Sequence, residues 1–312
     1  MTTADATPPI VAVVGPTAAG KSDLSLDLAE RLGGEVVNTD SMQIYRGMDI
    51  GTAKLPEADR RGVRHHLLDL LEVSEPATVA EFQGWARTVI DECRTRGVVP
   101  VLVGGSALYI RAILDRFEFP GTEPVVRQRI EAELARTGPD ALHKRLASVD
   151  AEAARKIGPD NGRRLVRALE VVAITGRPFS ASLPGLTYFY DDVHQIGVDI
   201  GRPLLDERIA LRVQRMWDAG FVEEVRRLAD RGLREGRTAN RALGYRQVLS
   251  YLDGVLTEDE AKEQTITGTR RFARRQDSWF RKDPRITWVD WDDPDRAAKA
   301  ITALRHERVA QE

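Results

Sequence analysis

The stretch Gly15-Pro16-Thr17-Ala18-Ala19-Gly20-Lys21-Ser22 has the phosphate-loop pattern of a glycine, four residues and then Gly-Lys-Ser. An apolar run over 10–14 precedes it, and a helical pattern follows it as far as residues 33–34. In such a strand–loop–helix unit, backbone N–H groups and the helix N-terminus converge on phosphate oxygens. These eight residues therefore predict a diphosphate or nucleotide site, in which Lys21 neutralises phosphate charge and the Ser22 hydroxyl ligates Mg²⁺.

The rest of the chain alternates between strand and helix patterns, which predicts an α/β fold with a parallel, doubly wound P-loop sheet flanked by helices. Ligands of such sheets bind beyond the C-terminal ends of the strands, where the loop, Asp40 and the pair at 104–105 fall. A helix is predicted over 79–94, and strands are predicted over 10–14, 35–40, 65–69, 98–103, 193–200 and 286–289.

Residues 121–185 differ in character, because they are rich in Ala, Arg and Glu and carry no strand pattern. We interpret them as a helical insertion domain within a catalytic core formed by residues 8–120 and 186–312. Residues 1–9 are predicted to be disordered, and residues 295–312 are predicted to form a frayed helix.

Bulk composition limits the classes of function. The net charge of −2 means that nucleic acid would have to bind a local basic patch. The single cysteine, Cys93, excludes an internal disulfide and a cysteine metal cluster, and five scattered histidines argue against a zinc site. With no signal core and no run of about 18 apolar residues, we expect a cytoplasmic protein.

Asp40 lies at the end of the strand predicted beside the loop strand. A carboxylate there could act as a general base toward a nucleophile that approaches the bound phosphate ester. It could equally cap a turn or hold magnesium. The same placement fits a small-molecule kinase, so Asp40 alone does not separate a transferase from a kinase.

Two groups of arginines add to this picture. Arg208, Arg212 and Arg215 recur at i, i+4 and i+7 of a predicted helix, and they either clamp a leaving diphosphate or form a solvated face. Near the C-terminus, basic residues alternate with aromatic ones, a pattern that suits looped RNA or an amphipathic helix that packs its rings inside. Its members are Arg270, Arg271, Phe272, Arg274, Arg275, Trp279, Phe280, Arg281, Lys282 and Arg285.

Six motifs in order resemble the tRNA dimethylallyltransferase (tRNA isopentenyltransferase) family over nearly the whole chain. The lack of a C-terminal Cys/His finger is typical of the bacterial type. The motifs are the loop at 15–22, Asp-Ser-Met-Gln-Ile-Tyr-Arg at 40–46 with Asp-Ile-Gly-Thr-Ala-Lys at 49–54, Gly-Gly-Ser-Ala-Leu-Tyr at 104–109, Arg-Ala-Leu-Glu-Val at 167–171, Gly-Tyr-Arg-Gln at 244–247 and Arg-Gln-Asp-Ser-Trp-Phe at 275–280.

The resemblance implies transfer of a dimethylallyl group from dimethylallyl diphosphate to the exocyclic amine of the adenosine 3′ of a tRNA anticodon, giving N6-isopentenyladenosine. It implies that the loop holds the prenyl diphosphate through Thr17, Gly20, Lys21 and Ser22, with Mg²⁺ beside it. Arg212 matches the family arginine that stabilises the departing diphosphate, and Lys21 is predicted to be catalytic together with Asp40 and Arg212. Asp40 resembles the family's general base. The reactive adenine would be drawn out of the anticodon loop.

The resemblance also implies contacts with the tRNA anticodon stem-loop. Two departures from the family pattern affect it: Leu55 interrupts the usual Ala-Lys-Pro, and Arg163 stands where some members have Gln. The implied tRNA-binding residues are Asp40, Ser41, Met42, Gln43, Ser106, Arg127, Arg163, Arg164, Arg167, Arg241, Tyr245, Arg246 and Gln247.

Three alternatives remain open from the sequence: prenyl transfer to free AMP, a P-loop small-molecule kinase, and a non-catalytic RNA-binding protein. The helical insertion and the basic C-terminal helices favour tRNA over a free nucleotide. Intact Lys21, Ser22 and Asp40 favour catalysis. We expect a monomer without membrane contact. Binding of ATP or another nucleotide by the loop also remains open.

Overall fold

The computed structural model of the chain describes residues 7–182 and 185–309. The backbone forms two compact units, one of Met1–Leu114 with Tyr190–Glu312 and the other of Asp115–Phe189. The sequence placed these divisions at 121 and 185. Of the segment 1–9 that is predicted to be disordered, residues 1–6 lie outside the described part of the chain, as do residues 310–312 of the predicted terminal helix.

The first unit is built on a parallel sheet, as the sequence predicts. Its strands are β1 (Ile10–Val14), β2 (Gly34–Asn38), β3 (His65–His66), β4 (Val99–Val103), β5 (Val193–Asp199) and β6 (Ile286–Asp290). Their order in space is β3-β2-β4-β1-β5-β6, and every neighbouring pair is parallel. The loop after the central strand β1 therefore emerges at the C-terminal edge, between the ends of β4 and β5.

Helices make up most of the other described elements of the two units. They are α1 (Lys21–Leu32), α2 (Val79–Thr95), α3 (Ala107–Leu114), α4 (Pro124–Thr137), α5 (Pro139–Val149), α6 (Ala151–Ile157), α7 (Gly162–Thr175), α8 (Arg202–Asp218), α9 (Phe221–Ala229), α10 (Tyr245–Leu252), α11 (Glu258–Phe280) and α12 (Arg296–Val309). Short 3₁₀ turns within the described ranges are Glu57–Asp59, Phe179–Ser182 and Ala239–Arg241. Among the described helices, none combines the length and the apolar character that crossing a bilayer requires.

The core follows from the apolar spacing of the sequence. Helix α1 buries Leu24, Leu28 and Ala29 against strand residues such as Val11 and Val101, and α12 contributes to the same cluster. Helix α2 starts at a capping box and buries one stripe of its surface. On that stripe, Phe82, Ala86 and Ile90 are fully buried, whereas Trp85 and Val89, predicted on the same face, are half-buried.

The second unit holds α4 to α7 around a core of its own, which includes Ile130, Leu142 and Leu169. A fully buried carboxylate, Glu170 on α7, lies beside this core. It accepts hydrogen bonds from Arg127 at 2.7 Å and Arg167 at 2.8 Å. These two predicted tRNA-binding arginines thus have a structural role within the unit, and their tRNA contact stays a prediction.

Replacing Glu170 by alanine is expected to destabilise the helical unit by about 2–3 kcal/mol. This loss of stability should be smaller than the loss expected when a fully buried ion pair is broken. The side chains of Arg127 and Arg167 are 38% and 28% exposed, so water can solvate them once Glu170 is removed. Urea unfolding with hydrogen exchange on α4 and α7 measures it. Glu152→Ala is the matched control: its ion pair with Lys156 is exposed, so a loss above ~1 kcal/mol there would contradict the burial argument.

Candidate active site

The phosphate loop joins β1 to α1 in the predicted order. Both of its glycines adopt positive φ, Gly15 at 135° and Gly20 at 94°, which side-chain-bearing residues disfavour. A Cβ on Gly15 would also lie 3.1 Å from the carbonyl oxygen of Val198 on β5. Gly20 is the N-cap of α1 and carries no side chain, so the first N–H groups of this helix are open to an anion.

Two distant side chains hold this loop in shape, and the sequence predicted neither contact. Ala18 has φ of 65°, and its carbonyl accepts a hydrogen bond from Nε of Arg208 at 2.9 Å. The Arg208 guanidinium in turn lies 4.8 Å from the ring centroid of Trp291. On the other side, the Thr17 N–H donates to Oε1 of the buried Gln276 on α11 at 2.8 Å. The loop conformation therefore depends on α8 and α11 as well as on its own sequence.

A cavity of about 810 Å³ opens beside the loop, within the first unit. Among the predicted site residues, those that line it are Thr17, Asp40, Ser41, Met42, Ser106, Arg212, Arg241, Tyr245, Arg246 and Gln247. Gln43, also predicted to bind tRNA, instead donates to the carbonyl of Thr52 at 3.2 Å. Residues from β-strand ends, α8, α10 and α11 thus meet around one space.

Asp40 lies in a turn, which corrects the strand predicted over 35–40. Strand β2 ends at Asn38, because the Asn38 side chain both accepts from the Asp40 N–H at 2.9 Å and donates to its carbonyl at 3.0 Å. The Asp40 carboxylate accepts the Met42 N–H through Oδ1 at 2.8 Å. Asp40 therefore caps a turn, as one interpretation of the sequence held, and also lines the cavity as the other required.

Lys21 and Arg212 both interact electrostatically with this carboxylate. Nζ of Lys21 donates to the Pro16 carbonyl at 2.7 Å. The pKa of Lys21 is lowered to about 7, mainly by desolvation within the surrounding protein and also by the Arg212 charge, while the Asp40 charge opposes both. Burial likewise lowers the pKa of Arg212, with Asp40 raising it. Two crowded cations beside one carboxylate favour binding of an anion with more than one charge.

The arginine row on α8 divides between the two interpretations. Arg212 lines the cavity and donates to the Thr52 carbonyl at 3.3 Å. Arg208 contacts the phosphate loop, and Arg215 is exposed. The i, i+4 spacing thus correctly predicted that Arg208 and Arg212 share one side of the helix that faces the loop and the cavity. Arg215 lies outside the site.

The predicted tRNA-binding residues on and near α10 differ in exposure. Arg241 and Arg246 are exposed. Tyr245 is fully buried and its hydroxyl donates to Glu224 at 2.6 Å, while Oε1 of Gln247 accepts the Gly244 N–H at 2.9 Å. Tyr245 and Gln247 thus shape the cavity wall from within, and a tRNA contact by any of the four stays a prediction.

On α11 the basic and aromatic pattern is also mixed. Phe272 and Trp279 are 40% and 54% exposed, whereas Phe280 is buried. Just after α11, Arg281 pairs with Asp199, and Arg285 pairs with Asp283. The predicted tRNA-binding residues Arg163 and Arg164 belong to the helical unit, where both are exposed on α7. The packing interpretation therefore holds for Phe280, and RNA binding by the exposed part of the pattern stays a prediction.

Away from the cavity, Glu35, His66 and Cys93 bring ligand-type atoms within 4.8 Å of one another. Arg96 already lies there: its guanidinium donates to both Glu35 oxygens, at 2.8 and 2.6 Å, and to the Cys93 sulfur at 3.4 Å. These bonds lower the pKa of Glu35 to about 2, and burial raises the pKa of the Cys93 thiol to about 11. The cluster is a hydrogen-bonded ion pair, in which a metal ion would meet a resident cation and a protonated thiol.

The sequence has close relatives among curated proteins. It is 67% identical over 298 residues to a tRNA dimethylallyltransferase of a Nocardioides species, with 95% of this chain and 96% of the relative covered. It is 62% identical over 304 residues to the tRNA dimethylallyltransferase of Streptomyces coelicolor, with 97% of each covered.

Solved structures agree in fold. The full-length tRNA isopentenylpyrophosphate transferase of Bacillus halodurans is 39% identical, with a TM-score of 0.69 over 96% of this chain and 95% of that one. A eukaryotic dimethylallyltransferase described as acting on tRNA is 26% identical, with a TM-score of 0.83 over 98% of this chain and 80% of that one. The profile of the IPP transferase family matches residues 43–283. The family predicted from the six motifs is thereby confirmed: the chain belongs to the IPP transferase family.

Proposed function

We propose that this transferase moves a dimethylallyl group from dimethylallyl diphosphate to the exocyclic amine of the adenosine 3′ of the anticodon in tRNA, giving N6-isopentenyladenosine. One observation carries the chemistry: Thr17 of the phosphate loop, the Asp40 carboxylate and the half-buried Arg212 line one cavity of about 810 Å³. The names of its relatives as tRNA dimethylallyltransferases support the acceptor.

The diphosphate of the donor binds at the loop in this proposal. The N–H groups at the start of α1 and the Lys21 ammonium supply positive charge. A Mg²⁺ ion fits the residues present, because the Ser22 hydroxyl is exposed in the first turn of α1 and Mg²⁺ needs few protein oxygens beside phosphate and water. When bound, Mg²⁺ would neutralise part of the diphosphate charge.

In the chemical step, the adenine amine attacks the allylic carbon while the bond from that carbon to the diphosphate oxygen breaks. Negative charge builds on the leaving diphosphate, and Arg212 and Lys21 stabilise it. The nitrogen becomes positively charged as its new bond forms, and Asp40 accepts its proton. The products are the N6-alkylated adenosine, free diphosphate and a protonated carboxyl that returns its proton to water.

The acceptor adenosine reaches the cavity when it is extruded from the anticodon loop, where unstacking costs less than in a duplex. Ser41, Met42 and Ser106 line the space into which it would pass. Exposed Arg241 and Arg246 suit phosphate contacts. We propose that the protein acts as a monomer in the cytoplasm, where its tRNA substrate resides.

Incubation with labelled dimethylallyl diphosphate, Mg²⁺ and either total tRNA or AMP tests the proposal. Label in tRNA and none in AMP is the expected result. Label entering AMP instead would identify the acceptor as a free nucleotide. No label in either, with ATP consumed when small metabolites are added, would replace the proposal by a kinase.

Diphosphate binding is expected to take up protons through Lys21. With a pKa of about 7, the amine is about half neutral at pH 7 in the free protein, and a bound polyanion raises that pKa. Because the protonated form binds, the contribution of Lys21 to the affinity should be level below pH 7 and should weaken as pH rises above it.

Calorimetry with inorganic diphosphate in two buffers of different ionisation enthalpy measures this uptake. Diphosphate itself titrates, so the relevant quantity is the difference between wild type and Lys21→Met. An identical proton uptake in both proteins would contradict the role of Lys21.

A further inference from the structure

A buried carboxylate that takes no part in the proposed chemistry lies next to the site. Glu224, in the first turn of α9, is 3% exposed. Its Oε2 accepts the N–H groups of Asp49 at 3.1 Å and Ile50 at 2.7 Å. Its Oε1 accepts the Gly51 N–H at 3.2 Å and the Tyr245 hydroxyl at 2.6 Å. One side chain thus binds three consecutive backbone amides across more than 170 residues of sequence.

All four donors are neutral, and burial and the Glu224 charge keep the pKa of the Tyr245 hydroxyl well above its usual value. Tyr245 therefore stays a donor. A carboxylate is suited to this position, because only it offers two acceptor oxygens. A glutamine would offer one oxygen, and its NH₂ group would confront N–H donors.

The segment held by Glu224 has little room to move. A Cβ on Gly51 would lie 2.2 Å from the ring of Phe221 and 2.5 Å from that of Tyr245, so the backbone packs directly on both rings. The Thr52 hydroxyl donates to the Met48 carbonyl at 2.6 Å. Nζ of Lys54 donates a hydrogen bond to the Asp49 carboxylate at 2.7 Å, which links residue 54 to the start of the segment. The hydrogen bonds of Glu224 thus add to the contacts that hold residues 49–52 in place.

This segment carries the acceptor that holds the site arginine. The carbonyl of Thr52 accepts from Nη2 of Arg212 at 3.3 Å and from Nε2 of Gln43 at 3.2 Å. Arginine has many rotamers, so its contribution to transition-state stabilisation depends on partners that fix it before reaction. The position of the Thr52 carbonyl follows from that of residues 49–51.

We propose that Glu224 is a positioning residue, which acts through residues 49–52 to hold the Arg212 guanidinium at the diphosphate end of the cavity. The role of Arg212 in transfer belongs to the function proposed above, and this inference rests on it. The effect of replacing Glu224 on the rate of transfer should therefore disappear when Arg212 is absent. If Glu224 contributed only to folding, the effect would remain in the absence of Arg212.

A double-mutant cycle with Glu224→Gln and Arg212→Ala tests this, with single-turnover rate constants for prenyl transfer to tRNA as the readout. Glu224→Gln alone is expected to slow transfer ~10–100-fold, and to slow it less than ~2-fold further in the Arg212→Ala background. Equal losses in the two backgrounds would overturn the proposal.

Two further variants keep the test sharp. Tyr245→Phe removes one of the four hydrogen bonds and keeps the Glu224 charge, so it should fold even if Glu224→Gln does not. It should slow transfer less than Glu224→Gln does, and only in the protein that retains Arg212. Asp150→Asn is the matched control, because Asp150 is another buried carboxylate that accepts backbone N–H groups, from Ala153 at 3.0 Å and Ser180 at 2.7 Å. It should lower thermal stability without slowing transfer.

The same cycle is measured for the Kd of inorganic diphosphate, which does not depend on the identity of the acceptor. Non-additive changes in Kd would support the positioning role even if wild type transferred no label to tRNA, and that absence would count against the proposed function alone. Additive changes in Kd would overturn the positioning role whatever the acceptor.

Discussion

Replacing Asp40 by asparagine is expected to lower the single-turnover rate of prenyl transfer ~10²–10⁴-fold, the usual contribution of a general base. The asparagine keeps an oxygen for the Met42 N–H that Asp40 accepts at 2.8 Å, so the turn should persist. It cannot take the proton of the attacking amine. Rapid quenching with labelled dimethylallyl diphosphate and tRNA measures the rate.

Binding separates this role from a structural one. Removing the carboxylate removes a negative charge from beside the diphosphate, so the affinity for inorganic diphosphate should hold or improve. Asp40→Ala, which removes both the base and the turn cap, should be no faster than Asp40→Asn. If Asp40→Asn kept wild-type turnover and only Asp40→Ala lost it, the carboxylate would be a turn cap and the general base would lie elsewhere.

Arg212→Ala is expected to slow the chemical step ~10²–10³-fold, in line with the loss of one donor to a developing charge. Affinity for tRNA should change far less, because Arg212 is held inside the cavity by the Thr52 carbonyl. Arg212→Lys should recover only part of the rate, since an ammonium keeps the charge and loses the planar fork.

Arg215→Ala is the matched control on the same helix. Arg215 is exposed, so its loss should change the rate less than ~2-fold. Filter binding of tRNA and single-turnover rates, measured on both variants, distinguish the outcomes. A loss of tRNA affinity in Arg212→Ala that exceeded its loss of rate would make Arg212 a binding residue.

Local patterns in the sequence predicted much of this fold. Apolar runs located the strands within one to three residues at their ends, since a buried strand needs only a short hydrophobic stretch. The largest difference is at β3, which ends at His66 and not at residue 69. The end of β2 at Asn38 came from a side chain that bonds the backbone two residues later. The motif at 15–22 likewise indicated its loop, because positive φ at Gly15 and Gly20 is a local requirement.

The sequence by itself determined the α/β class, the phosphate loop and the family, because each depends on residues close together along the chain. The tertiary structure alone decided which side chains support the site. Gln276 contacts Thr17 across 259 residues, and Glu224 contacts Gly51 across 173. No spacing predicts such pairs, because they arise only when separate helices pack on one edge of a sheet. The same packing decided that Arg212 lines the cavity while Arg215, three residues later, is exposed to water.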